Sequence, residues 1–362
     1  MLAAAPAAAD TRIAFVAALS GPAAAAGRDQ RDGFLLAVAE QHGRLGGVPV
    51  RVSQLDDRGD SERAAAIGES LLAEGVRYVT GLTTSGSALA LQRKLQGKPV
   101  VIVSSGAGPA SLAGSRCSRN FFSSASPDDA VHENAGAIAR ARRYQKVALV
   151  GPPGSRKAIE AAFRRQYRGE LLSVSSQEDI RRNPPDAVYV ALRGQQMRSF
   201  LSAYEQAGFF HRIPVIAARV EPEVLQALGP DYAGLIVSVR WAAGMQAEAS
   251  ARFVEAFNAR YGRAPSSHAM QAYDAAQLLS AAFRAAGGTS AAPTAVAKAL
   301  SNVQVQGVAG PIRLAANGFA LANWHAWEVF NESSGTPYLV ARERTLEEYA
   351  GPRVGSCRGK SG

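Results

Sequence analysis

Through the first hundred positions, short apolar runs alternate with stretches whose apolar residues recur at helical spacing. Arg12–Ala18 is a buried-strand run closed by Ser20-Gly21-Pro22, and Arg28–His42 carries Phe34, Leu35, Val38 and His42 at helical spacing. The alternation continues with strand Val48–Leu55, then helix Ser61–Glu74 with Ile67, Leu71 and Leu72 on one face. Strand Val76–Gly81, helix Ser85–Leu95 and strand Pro99–Val103 follow. Uninterrupted apolar strands separated by helices belong to a parallel sheet covered on both faces.

A second series of similar size begins after Pro127. Ser126-Pro127-Asp128-Asp129 predicts a helix start, with a capping hydroxyl, proline at the first helical position and acids in the first turn. That helix runs to about Arg142, and strand Lys146–Val150, helix Ser155–Tyr167 and strand Ala187–Leu192 follow. Helix Gln195–Ala207 and strands Ile213–Ala217 and Leu235–Ser238 complete the series. Residues 247–300 read as helices only, including Glu248–Tyr261 and His268–Ala286, and strand-like segments return at Gly310–Leu314 and Ala326–Phe330. Helices this late have no new sheet to cover and are expected to pack back onto the first unit. The expected fold class is α/β, two doubly wound lobes built from discontinuous segments.

The chain has 362 residues, 47% hydrophobic and 19% charged, enough for a sizeable core. Lys plus Arg exceeds Asp plus Glu by 40 − 30, a net charge of +10. The excess is scattered, and its densest runs, Arg140-Ala141-Arg142-Arg143 and Arg164-Arg165, have no interleaved aromatics for base stacking. A solvated basic surface is expected, without a nucleic-acid partner. No run of about 18 apolar residues offers a membrane span. Residues 1–10, MLAAAPAAAD, read either as the cleavage end of a secretory signal peptide or as an alanine-rich leader. The two cysteines, Cys117 and Cys357, are too few for a zinc site. In an exported protein they are expected to form a disulfide tying the tail to the body, the alternative being two buried thiols.

Signals for catalysis are weak. Gly151-Pro152-Pro153-Gly154-Ser155-Arg156-Lys157 lacks the glycine spacing and the Gly-Lys-Ser/Thr end of a phosphate loop. Gly106-Ala107-Gly108 starts a dinucleotide fingerprint but Ser111 stands where the third glycine belongs, and no Gly-x-Ser-x-Gly elbow occurs. His42, His132, His211, His268 and His325 never fall at metal-ligand spacing, so each is expected to be a surface or structural group. Asp56, Asp57 and Asp60 lack the glycine and terminal glutamate of a calcium loop. No enzyme, cofactor or metal is expected.

Several segments together resemble the type I periplasmic solute-binding proteins of ABC importers, in particular the branched-chain amino-acid (Leu/Ile/Val) receptors. They are Leu19-Ser20-Gly21-Pro22, Asp56-Asp57, Gly81-Leu82-Thr83-Thr84-Ser85-Gly86-Ser87 and Val103-Ser104-Ser105-Gly106-Ala107-Gly108. Further along are Ser126-Pro127-Asp128-Asp129, Phe200–Gly208 and Gln271-Ala272-Tyr273-Asp274-Ala275-Ala276. The likeness spans about residues 11–340 and lies in the order and spacing of motifs, none specific alone.

The resemblance implies two lobes joined by a three-crossing hinge near Phe122–Ser126, Val237–Trp241 and Asn323–Trp327. Lobe 1 would comprise 11–122 and 241–323, lobe 2 would comprise 123–240 and 324–350, and 351–362 would be a tail. A monomer in the periplasm would clamp a small carboxylate-bearing ligand between the lobes and hand it to a membrane permease. A ligand-sensing domain acting through a partner receptor is the alternative. In the family the position matching Ser85 binds the ligand carboxylate, and Thr84 opens the same helix; the bland alternative is that Ser85 merely caps it. Ser105, Gly106, Ala107 and Gly108 would form an opposing wall.

Departures from the family cluster at the ligand. The hydroxyl residue that helps hold an ammonium corresponds to Gly108, its acidic partner to Arg219, one tyrosine to Arg193 and another to Ala26. A second-lobe aromatic falls in a shortened loop at Ser155-Arg156, and Trp241 follows a crossing, placed to stack on a ligand or plug the hinge. Arginine repels an ammonium and pairs bidentately with carboxylates, which points to an acidic ligand, a dicarboxylate or an aromatic acid. The alternative leaves Arg193 and Arg219 in surface ion pairs.

Overall fold

The computed structural model describes residues 10–288 and 291–357; the signal-peptide or leader expectation for residues 1–10 therefore falls almost wholly outside the described residues. The chain divides into two compact units. It opens with β1 (Thr11–Ala17), α1 (Ala24–Glu40), β2 (Arg44–Leu45), β3 (Val48–Asp56), α2 (Ser61–Ala73), β4 (Tyr78–Gly81), α3 (Ser85–Leu95), β5 (Val101–Ser104) and β6 (Phe121–Ser123). After residue 128 come α4 (Ala130–Ala141), β7 (Lys146–Val150), α5 (Arg156–Arg164), β8 (Glu170–Ser173), α6 (Gln177–Arg182), β9 (Ala187–Val190), α7 (Gly194–Gln206), β10 (Val215–Ala217), α8 (Pro222–Leu228) and β11 (Ile236–Val239). The chain returns to the first unit with α9 (Glu248–Tyr261), α10 (Ser267–Ala285), α11 (Pro293–Leu300), β12 (Gln304–Gly307) and β13 (Gly310–Arg313). It ends with β14 (Ala322–Asn331) and β15 (Pro337–Tyr349) in the second unit and a tail in the first.

Unit 1 holds a six-stranded sheet in the order β2-β3-β1-β4-β5-β6, parallel except for β2. Alternate residues of β1 feed two cores. Ile13, Phe15 and Ala17 pack with Phe34 and the α10 residues Leu279 and Phe283, while Ala14 and Val16 pack with Leu71, Leu91 and Leu95. Burying each such large side chain contributes about 1.5–3 kcal/mol, which is why a continuous apolar run folds as a strand covered on both faces. Helix α10 lies on α1, so the late helices do cover the first sheet. Helix α2 is capped by Asp60, whose carboxylate accepts from the Arg63 N–H at 2.7 Å, and α3 by Thr84.

Unit 2 holds a seven-stranded sheet in the order β15-β14-β11-β10-β9-β7-β8, parallel from β11 to β8, with β14 and β15 antiparallel on one side. Val188 and Val190 of β9 enter one core and Tyr189 the other. The expected helix start at Ser126 needs correction. Helix α4 begins at Ala130 with Asp129 at its N-cap, and the buried Ser126 hydroxyl caps nothing. Pro127 and Asp128 are instead held against the Gly108 loop, where the Asp128 N–H donates to the Gly108 carbonyl at 2.7 Å.

The chain passes between units after residues 128, 246, 321 and 349. Residues 350–357 group with unit 1, where the Cys117–Cys357 disulfide closes a separation of 240 residues and Asn317 Nδ2 donates to the Ala113 and Ala350 carbonyls. No described helix is long and apolar enough to cross a membrane.

Candidate functional site

Helix N-termini and loops gather at the carboxyl ends of parallel strands, where free N–H groups make a natural anion receptor. In unit 1 the loop after β1 is fixed by Asp56. Its carboxylate accepts from the Leu19 N–H at 2.9 Å, the Ser20 hydroxyl at 2.6 Å and the Arg58 N–H at 2.9 Å. Burial raises the Asp56 pKa, but hydrogen bonds from the Ser20 hydroxyl and from Arg58, Leu19 and Ser20 N–H groups outweigh it and bring the group down to about 2. A carboxyl depressed when folded contributes stability that is complete above its unfolded value, about 3.9, and lost as pH falls through the folded one. Asp56→Asn is therefore expected to lower the melting temperature near neutral pH. In a melting series followed by circular dichroism, its gap from wild type should close between about pH 4 and pH 2. A constant gap would show that shape, not charge, supplies the anchor.

Beyond β4, Thr83 and Thr84 do different work. The Thr83 hydroxyl accepts from the Ala18 N–H at 3.1 Å and donates to Gln30 Oε1 at 2.7 Å, while Thr84 caps α3 by accepting from the Ser87 N–H at 3.2 Å. Ser85 is the first residue of α3, not its cap. Its hydroxyl donates to the Asp128 carboxylate, and the Gly108 N–H donates to the same carboxylate at 2.9 Å. A hydroxyl, an N–H and the positive end of a helix thus hold one carboxylate, supplied by the chain itself.

The other wall residues separate into buried and accessible. Ser105 is fully buried, with its N–H and hydroxyl both on the Gly81 carbonyl, at 2.8 and 3.3 Å. Ala107 is buried with its N–H on the Leu82 carbonyl at 2.8 Å. Gly106 is part-exposed and lies against Gln30, since a Cβ there would stand 1.8 Å from Gln30 Nε2. Gln30 was not singled out in the sequence; it is fully buried, and its Nε2 has no hydrogen-bond partner among the described residues.

In unit 2, β9 and β10 pair with Val190 opposite Ala217. Arg193 lies three residues past the end of β9, at the N-cap of α7, and Arg219 two residues past β10. Arg193 is exposed and Arg219 is half-buried. His132, in the first turn of α4, shares a hydrogen bond of 2.5 Å between Nδ1 and the Tyr189 hydroxyl. Burial first, then the positive charges of Arg193, Arg219 and Arg165, push His132 down to about 3. Sequence spacing held no signal for His132, because its partners come from strand ends far along the chain. Ser155 is exposed at the start of α5, where the neighbouring Arg156 reaches the Gly151 carbonyl at 3.3 Å and the Ser173 hydroxyl at 3.3 Å. Trp241 is buried, with about 1% of its surface exposed. Among the described residues no group of three or more His, Cys, Asp or Glu is placed to hold a metal.

The sequence matches the periplasmic binding protein family over residues 10–168 and 175–333. The chain belongs to that family. A Leu/Ile/Val-binding protein of Rhizobium johnstonii is 26% identical to this periplasmic binding protein over 350 residues, covering 89% of this chain and 93% of that one. Among solved structures, an ABC transporter substrate-binding protein from Sphaerobacter thermophilus superposes with a TM-score of 0.86 at 23% identity, covering 94% of this chain and 99% of that one. An R. palustris solute-binding protein in complex with benzoate has a TM-score of 0.83 at 20% identity, covering 97% and 100%. The fold is that of the type I periplasmic binding proteins.

Proposed function

We propose that this periplasmic binding protein is the non-catalytic solute receptor of an ABC importer, capturing a small carboxylate-bearing ligand outside the cytoplasm and delivering it to a membrane permease. The observation that carries the reading is the pairing of β9 with β10, which sets two cations, Arg193 and Arg219, past adjacent strand ends in a chain of the periplasmic binding protein family. The residues proposed to touch ligand are Thr84 and Gly106 of unit 1 and Ser155, Arg193 and Arg219 of unit 2, while Ser85 and Gly108 hold Asp128 beside them. Ser105, Ala107 and Trp241 support the walls from their buried positions. The Cys117–Cys357 disulfide suits an oxidising compartment, and the relatives include a Leu/Ile/Val-binding protein and a solute-binding protein in complex with benzoate.

The test is a thermal-shift screen of protein stripped of carried-over ligand by unfolding and refolding. A ligand at about 100 times its dissociation constant stabilises the native state by roughly 2.7 kcal/mol, an easily seen shift. Saturable stabilisation by carboxylates, with no chemical turnover of the bound compound, is the expected result. A response confined to uncharged solutes such as sugars would overturn the carboxylate reading, and turnover would overturn the non-catalytic one.

A further inference from the structure

We propose that unit 2 carries a carboxylate receptor of its own, in which the guanidiniums of Arg193 and Arg219 and the Nε2–H of His132 take the acid group of a ligand that has no ammonium. The inference rests on the solute-receptor reading above and deepens it, by naming the chemical class of ligand and the unit that holds its charge.

Three observations lead there. First, the donors at the start of α3 are filled: Ser85 and the Gly108 N–H are both spent on Asp128, so an incoming carboxylate meets an anion in that place. Second, the pairing of β9 with β10 sets Arg193 and Arg219 past adjacent strand ends, and Tyr189 of the same strand β9 bonds His132. Guanidiniums so placed repel an ammonium and draw in a carboxylate. Third, the partner of the Tyr189 hydroxyl bears on which nitrogen of His132 carries the proton. The Tyr189 ring is fully buried and its hydroxyl's partner is His132 Nδ1, so the hydroxyl donates to Nδ1 and the proton of the neutral ring lies on Nε2. His132 Nε2 makes no hydrogen bond among the described residues, and the residue is part-exposed. A buried phenol thus acts as a positioning residue, turning a histidine into an uncharged N–H donor beside two cations.

The experiment uses the full chain, ligand-stripped, with ¹⁵N-labelled histidine, and the probes benzoate, succinate and leucine. Calorimetry is expected to show binding of benzoate or succinate in preference to leucine. Arg193→Gln and Arg219→Gln should each weaken that binding about tenfold to a hundredfold, the effect of losing a charge-assisted hydrogen bond, and Ser85→Ala should change it less than about threefold. The His132 nitrogens should show the Nε2–H tautomer in wild type and shift on saturation with the acid, and Tyr189→Phe should average the two tautomers. Acid binding that is lost in Ser85→Ala and kept in both arginine variants would overturn the proposal and leave the receptor reading intact, as would leucine binding indifferent to the arginines. A saturating acid that leaves the wild-type His132 resonances unmoved would overturn it without any variant. If none of the three probes binds folded protein, the proposal and the carboxylate reading fall together.

Discussion

Gly81→Ala is expected to destabilise unit 1 by about 2–5 kcal/mol, the sum of left-handed backbone strain and overpacking. Gly81 ends β4 with φ +96°, a conformation costly for any residue bearing a Cβ. An added Cβ would stand 2.3 Å from the Val16 carbonyl oxygen and 3.0 Å from its carbon, backbone atoms of the central strand β1 that no rotamer change can move away. The Gly81 carbonyl also accepts from Ser105, and the next residue, Leu82, turns through φ +65° while donating to the Val16 carbonyl at 2.6 Å. This close-packed exit from β4 delivers Thr83, Thr84 and Ser85 to the strand ends, so the substitution should also loosen the hold of Ser85 on Asp128. Urea unfolding of Gly81→Ala beside wild type measures the first effect. A midpoint unchanged within error would mean that β1 and β4 part easily, contrary to their tight approach.

What sequence could and could not show follows from which interactions decide each element. Helices α3 and α9 and strand β7 occupy the residues that local pattern predicts, because apolar spacing and Thr84 act within each segment. Strand β15 is different. Its run of Arg342, Glu343, Arg344, Glu347 and Glu348 has no apolar alternation, and antiparallel pairing with β14 makes it a strand. Strand β6 is three residues long, and β8 forms a sheet edge with a half-exposed face, so neither carries enough period to register. The same division runs through the site. Ser85 is legible from its place at a helix start, whereas its partner Asp128, 43 residues later, reads as the first turn of a helix that in fact begins at Ala130. The arrangement β4-β5-β6 brings the two together, and no local rule contains that order. Arg193 and Arg219 were legible as residues following strands; His132 was not, because its character comes from Tyr189 and from burial.

Replacing both cysteines, Cys117→Ser with Cys357→Ser, is expected to cost about 4 kcal/mol, near the upper end for a single cross-link. A link between residues 240 apart removes more freedom from the unfolded chain than a short loop does, although the increase with length is only logarithmic. The folded tail keeps other anchors: Asn317 holds Ala113 and Ala350 by hydrogen bonds of 3.0 Å, and the Arg353 side chain packs over Gly114. The native structure should thus survive the substitution, and the loss should fall on the unfolded side of the equilibrium. Denaturant titration with and without reductant separates the two. Reductant should shift the wild-type midpoint down to that of the variant and leave the variant where it is. If the oxidised wild type and the double variant unfold together, the cross-link constrains a chain already held by Asn317 and its neighbours, and the stability of unit 1 lies in its cores alone.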